Sequence, residues 1–323
     1  MAEGRLTATV ASTGAALRRT GGTIARGFAR RAGFEIVRRG RYQFVPIGSV
    51  DVVRHDYYSP VPDLSLLPPD IWDRRSDLGG VDLRVPDAMT FVEAELAPFI
   101  AELDIPRDPP DQPGAFFLRN DNFESVDAEL LYAMVRWAHS DRVIELGSGF
   151  SSLLINQACR RNAGDGVQTS HEAFDPHPRA QILGPGLAAP SRLTPISATD
   201  VPLATFDRLE AGDILFVDTT HTVKLGSDVN FIVLDVLPRL KAGVLVHFHD
   251  VFLPWEYPRP WFTEMQYFWA EQYLLQAFLA YNREFEVLAP AHALAREYPE
   301  RIARVIPSFV RGVSPGSIWL RRS

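Results

Sequence analysis

RVIELGSGFSS, residues 142–152, is the stretch that decides the fold. An apolar strand runs through Val143, Ile144 and Leu146, with one carboxylate, Glu145, set inside it. Gly147 and Gly149 then form a tight turn around Ser148, and Ser151 and Ser152 open a helix. Glycines let the backbone turn sharply and come close to a ligand where a side chain would collide. Strand, glycine turn and helix in this order are how a doubly wound α/β domain builds its ligand site.

Working outward from that turn, the pattern stays regular to the end of the chain. Val126, Leu130, Leu131, Met134, Val135 and Ala138 recur at helical spacing, with Ser125 as the expected N-cap. Strands are predicted at 142–147, 167–174 (VQTSHEAF), 192–197 (RLTPIS), 213–220 (DILFVDTT) and 243–250 (GVLVHFHD), with a helix over 151–162. Val229, Ile232, Val233, Val236, Leu237 and Leu240 make a further amphipathic helix that Gly243 closes. A long aromatic helix is predicted over 261–281, followed by strands FEVLA (285–289) and SIWLRR (317–322) with no clear helix between them. Five strands separated by helices imply a parallel sheet, and the late pair implies a terminal strand inserted antiparallel. The expected class is α/β, doubly wound and mostly parallel.

Composition bounds the rest. With 46% hydrophobic and 23% charged residues over 323 positions, the chain reads as globular. Cys159 is the only cysteine, which excludes a disulfide framework and fits a reducing compartment, the cytoplasm. No apolar run approaches the roughly 20 residues of a membrane helix, and the first residues do not have the order of a signal peptide. Residues 1–41 hold nine arginines against Glu3 and Glu35, a balance of +7 that leaves −14 on the remainder to reach the overall −7. An acidic body argues against a nucleic-acid partner. The basic leader reads as a solvated tail, or as a surface for an anionic partner. Residues 42–120 are proline-rich (YYSPVPD, LLPPD, RVPD, RDPPDQP), with one helix expected from Thr90 to Leu103, and read as a cap over the domain at 121–323.

Ligands of such sheets lie beyond the carboxyl ends of the strands. The first strand offers Glu145, Gly147, Ser148 and Gly149, with Ser152 in the helix that follows. A carboxylate before the turn would repel a pyrophosphate, whereas it suits the cationic sulfonium and ammonium of S-adenosylmethionine. Asp175, in FDPHP, is placed for two ribose hydroxyls, although an aspartate before proline also makes an ordinary Asx turn. Asp200 is placed for an adenine amino group. The fourth strand delivers Asp218 and His221, and the fifth His249 and Asp250, while His247 inside the apolar run reads as a core histidine. These four converge only if the fourth and fifth strands are neighbours, and His249 and Asp250 share a face only if the strand stops in time. Converged, they make a general base with an orienting carboxylate, or a divalent metal site on Asp218 and Asp250. Spacing does not show coordination, so the metal-free reading is preferred. The aromatic, proline-broken run from Phe252 to Trp261 is expected to wall an acceptor pocket, while Phe268 and Leu275 are core.

In this order, ELGSGFS, the DPxP ending, LFVDTTH, VHFHD with FLPWEYP, and EQYLLQAFLAYN resemble bacterial class I S-adenosylmethionine-dependent methyltransferases over about residues 55–323. The resemblance implies a seven-stranded sheet with its last strand antiparallel, and cofactor contacts at Glu145, Gly147, Ser148, Gly149 and Asp175. It also implies methyl transfer. The acceptor expected from the residues is a small-molecule or saccharide hydroxyl, with His249 or His221 as the base and Asp250 or Asp218 orienting it. Ser151 stands where the wider superfamily often has a third glycine. The rival readings are an NAD-dependent oxidoreductase, a metal-dependent hydrolase built on Asp218, His221, His249 and Asp250, and a binding protein without turnover.

Overall fold

The computed structural model describes residues 34–38, 50–54, 58–111, 114–179 and 191–323. Most of the basic leader therefore lies outside the described residues. The chain divides into two compact units. The smaller runs to Ile71 and includes Pro258–Phe268. It holds an antiparallel hairpin of β1 (Phe34–Arg38) and β2 (Val50–Arg54), with Ile36 opposite Val52, and the short helix Arg259–Thr263. The hairpin draws its strands from both sides of the boundary expected at residue 41.

The larger unit, Trp72–Tyr257 with Trp269–Ser323, carries the sheet. Its strands are β3 (Arg142–Leu146), β4 (Ser170–Phe174), β5 (Ser191–Thr194), β6 (Ile214–Val217), β7 (Leu245–Phe248), β8 (Phe285–Pro290) and β9 (Ile318–Arg322). They lie in the order β5-β4-β3-β6-β7-β9-β8. The pairs among β3 to β7 are parallel, and β9 runs antiparallel to both β7 and β8. The chain leaves β3 first toward β4 and β5, then returns to its other side for β6 and β7. That reversal puts a ligand crevice between the ends of β3 and β6.

All four residues of β6 and of β7 are buried, as they must be in strands covered on both faces. The helices Asp127–Ala138 and Phe150–Gly164 supply Leu130, Leu131, Met134, Leu154, Ile155 and Ala158 to the same core. Arg136 ties them to the preceding segment, for its Nε donates to Glu102 at 2.5 Å and its guanidinium also meets Asp165 at 2.6 Å.

Several expectations are corrected by local chemistry. The helix after Ser125 starts at Asp127 with Val126 as an N-cap that makes no side-chain bond, while the Ser125 hydroxyl pairs with that of Ser308 at 2.6 Å. The helical segment expected at Thr90 begins at Val85, because Pro86 occupies its first turn, where a missing N–H costs nothing. Residues 261–281 do not form one helix. They form Arg259–Thr263 and Glu271–Leu279, and the amides of Ala270 and Glu271 are bonded instead to the carbonyl of His221. Two helices, Ala291–Glu297 and Pro299–Val305, stand between the late strands, with Pro299 separating them. Gly243 does not cap the helix that ends at Arg239; at φ +87° it makes the turn into β7.

Candidate functional site

The turn after β3 is anchored from below. Glu145 is fully buried, and its two carboxylate oxygens accept from Ser151 Oγ and Ser152 Oγ, each at 2.7 Å. Nε2 of His171, on β4, reaches the same carboxylate at 2.9 Å, and its Nδ1 bonds with Ser191 Oγ at 2.7 Å. Ser152 Oγ in turn accepts the Gly149 amide at 3.1 Å. Glu145 thus holds the turn and the helix start in register. Its charge sits beneath the turn, compensated by three donors.

Gly147 has φ +91°, and a Cβ there would lie 1.9 Å from the carbonyl oxygen of Asp218. The end of β6 thus packs directly on the turn. The Asp218 amide donates to Leu146 O at 2.9 Å, and the Gly147 amide to Phe174 O at 2.9 Å, so three strand ends are locked together. Gly149 is extended at φ 174°, and a Cβ there would meet nothing within 4 Å. Ser148 Oγ donates to Asp175 Oδ2 at 2.6 Å, and Asp175 Oδ1 accepts the His177 amide at 2.7 Å. Asp200 is exposed in the short helix Ala198–Asp200 beyond β5.

Because β6 and β7 are neighbours, the four residues at their ends do converge. β7 stops at Phe248, and Asp250 takes φ +60°, which frees it and His249 from strict alternation. His221 Nε2 lies 3.2 Å from Asp218 Oδ1 and 3.5 Å from Asp250 Oδ2, while its Nδ1 meets Glu271 Oε2 at 2.8 Å. His249 Nδ1 lies 3.6 Å from Asp250 and 3.8 Å from Asp218, and its Nε2 lies 3.6 Å from Asp127. Those distances are ion-pair contacts rather than hydrogen bonds. Asp127 is fixed independently, since it accepts the amides of Gly316 and Ser317 at 2.9 and 2.8 Å. Phe123 packs against the His249 ring at 4.9 Å. His247 is a core residue, stacked on Phe216 at 4.1 Å with Nε2 on Ser317 Oγ.

Four carboxylates, Asp127, Asp218, Asp250 and Glu271, thus surround two imidazoles. Burial works against charge on His249, but Asp250, Asp218 and Asp127 outweigh it and raise its pKa to about 10. Burial likewise opposes charge on His221, and Asp218 and Glu271 raise it well above the ordinary imidazole range. Desolvation favours the neutral acid at Asp218, yet the charges of His249 and His221 hold it well below the usual carboxylate range. Desolvation prevails at Asp250 and Glu271, which are both raised.

Sequence reasoning missed Asp127, His171 and Glu271. Asp127 looked like a first-turn helix residue, His171 a strand residue, and Glu271 part of an unbroken helix, so nothing in their spacing pointed to the site. The aromatic wall is also corrected. Phe252 and Tyr257 are buried, Trp255 lies between the guanidiniums of Arg75 and Arg296 at 5.4 and 4.9 Å, and Trp261 belongs to the smaller unit.

Residues 144–251, from β3 through the start of the loop after β7, match the family model described as a methyltransferase domain. The seven-stranded order with one antiparallel strand is the doubly wound, mostly parallel sheet that the resemblance to class I methyltransferases implies. An uncharacterized protein of Archaeoglobus fulgidus is 25% identical over 162 residues, which cover 48% of this chain and 72% of the relative. Among solved structures, one titled cmcI-N160 SAH is similar at 14% identity and TM-score 0.37, covering 69% of this chain and 89% of its own. A putative S-adenosylmethionine-dependent methyltransferase from Listeria monocytogenes is similar at 12% identity and TM-score 0.30, covering 60% of this chain and 95% of its own. Among the described residues, no helix is long and apolar enough to cross a membrane.

Proposed function

We propose that this methyltransferase transfers the methyl group of S-adenosylmethionine to a hydroxyl of a small molecule or a sugar. One observation carries the reading: the turn that would hold the cofactor and the acid-imidazole cluster are in contact, with the Asp218 carbonyl filling the space that only a glycine at 147 leaves open. Cofactor and proton-handling groups therefore share one crevice.

In this reading Gly147, Ser148 and Gly149 approach the amino-acid part of the cofactor, Asp175 its ribose and Asp200 its adenine. Glu145 and Ser152 act from beneath by holding the turn. The sulfonium supplies the electrophile, so the protein has to align the acceptor and take its proton. His249 is the better placed base, because its ring nitrogens make only longer ion-pair contacts and can turn toward an acceptor, whereas His221 Nδ1 is committed to Glu271. Held between carboxylates, His249 keeps its proton at neutral pH. Incoming positive charge weakens that hold and lets the imidazole act as a base.

The cluster also fits a divalent cation. Asp218, His221 and Asp250 each offer one ligand atom within 4.8 Å of the others, and oxygen and imidazole donors suit magnesium or manganese. When bound, such an ion acidifies a hydroxyl near it.

The test is to incubate the full chain with methyl-labelled cofactor and a panel of hydroxylated small molecules and sugars. The reading predicts label in a methyl ether, abolished by Asp218→Ala. Label found only on nitrogen or carbon, or on no acceptor of any kind, refutes it.

A further inference from the structure

Glu271 lies outside the strand ends, yet it is fully buried beside the site and has one oxygen on His221 Nδ1 at 2.8 Å. Its other oxygen, Oε1, is buried without a hydrogen-bond partner. A carboxylate stripped of water is costly unless it is used, so its survival here asks for a role.

Three further contacts fix the same spot. His221 is a non-glycine residue at φ +56°, a left-handed conformation that persists only where its surroundings impose it. Its carbonyl accepts the amides of Ala270 and Glu271 at 2.9 and 3.2 Å, so the start of the helix Glu271–Leu279 is clamped onto the strained residue. The Trp269 ring sits 4.4 Å from the imidazole, closing its other side. The next residue extends the clamp to the other active loop: Gln272 Oε1 accepts the Phe252 amide at 3.0 Å, and its amide donates to Tyr257 Oη at 3.0 Å. One helix start therefore braces the segments that follow both β6 and β7.

We infer that Glu271 is a positioning residue: by holding the His221 imidazole through Nδ1 at 2.8 Å, it aims Nε2 between Asp218 and Asp250, where it would bind a divalent cation. This rests on the cation-binding form of the function proposed above. Imidazole ligands ordinarily give their second ring N–H to a carboxylate, and losing that partner weakens metal binding about 10- to 100-fold.

The experiment compares wild type, Glu271→Gln, Glu271→Ala and His221→Ala as full chains, with manganese(II) as the probe. Calorimetry is expected to show manganese affinity falling about 10- to 100-fold in Glu271→Gln, with S-adenosylhomocysteine affinity within twofold of wild type. Manganese affinity unchanged in both Glu271 variants, or cofactor affinity lost in parallel with it, overturns the inference. Selective ¹⁵N-histidine labelling supplies a second readout that needs neither metal nor turnover. Wild type is expected to show a slowly exchanging Nδ1 proton, assigned by its loss in His221→Ala and shifted in Glu271→Gln. If wild type binds no manganese, the cation reading fails, and the Nδ1 signal alone decides the positioning role: its presence supports it and its absence overturns it.

Discussion

Replacing Gly147 by alanine separates the account of the turn from any general tolerance of the loop. The new methyl carbon would sit 1.9 Å from the Asp218 carbonyl oxygen, where real contacts essentially never fall below 3.0 Å, and it would do so at φ +91°. The positive φ costs roughly 1–2 kcal/mol. Relief requires the β6 end to retreat, which strains the Asp218 to Leu146 and Gly147 to Phe174 backbone bonds, each of net worth about 0.5–1.5 kcal/mol. The sum is roughly 2–5 kcal/mol, a fall of about 3–7 °C in melting temperature for a chain of this length. Gly149→Ala is the control, because its φ of 174° suits any residue and its methyl meets nothing within 4 Å. It should cost less than about 0.5 kcal/mol yet still weaken S-adenosylhomocysteine binding, since the methyl enters the space left for the ligand. Thermal melts with calorimetry read both. Equal stability of the two variants, or full cofactor affinity in Gly147→Ala, refutes the reasoning.

Other consequences can be measured on the same material. Glu145→Ala strands buried His171 and two serine hydroxyls, so urea unfolding should show a loss of about 3–5 kcal/mol, with Glu145→Gln milder. Glu129 is held at about 7, above its ordinary 4.5, chiefly because burial disfavours its charge, against a hydrogen bond from Ser308. A carboxyl raised on folding contributes its stability fully below the unfolded value and loses it as pH climbs through 7, a drop of about 3 kcal/mol that Glu129→Gln should flatten. If stability between pH 5 and 8 has the same slope in both proteins, this assignment is wrong. A chelator should reduce methyl transfer, magnesium or manganese should restore it, and Asp250→Asn should weaken that rescue at least tenfold; turnover indifferent to chelator removes the cation from the account.

Much of this architecture is legible in the sequence because strand and helix periods are strong signals. ILFV is apolar on both faces and RVIEL is so through Val143, Ile144 and Leu146, so both read as interior parallel strands, and the glycine turn between the first of them and the next helix fixed the ligand end. The convergence of Asp218, His221, His249 and Asp250 followed once β6 and β7 were neighbours. What stayed hidden is tertiary. The aromatic periodicity of 261–281 ran on as a helix, while the actual break at Ala270 comes from amides captured by a carbonyl about 50 positions earlier in the chain. The position of Glu145 before the turn was visible in sequence, and its three buried partners were not. Asp127 and Glu271 enter from helix starts, which strand-end logic does not reach.

The most direct check of the central claim is calorimetric titration of the full chain with S-adenosylhomocysteine and, separately, with NADH. The account predicts one saturable S-adenosylhomocysteine site, weakened by Gly149→Ala and by Asp175→Ala, and no measurable binding of NADH. Preference for NADH, or S-adenosylhomocysteine affinity indifferent to both substitutions, would contradict it.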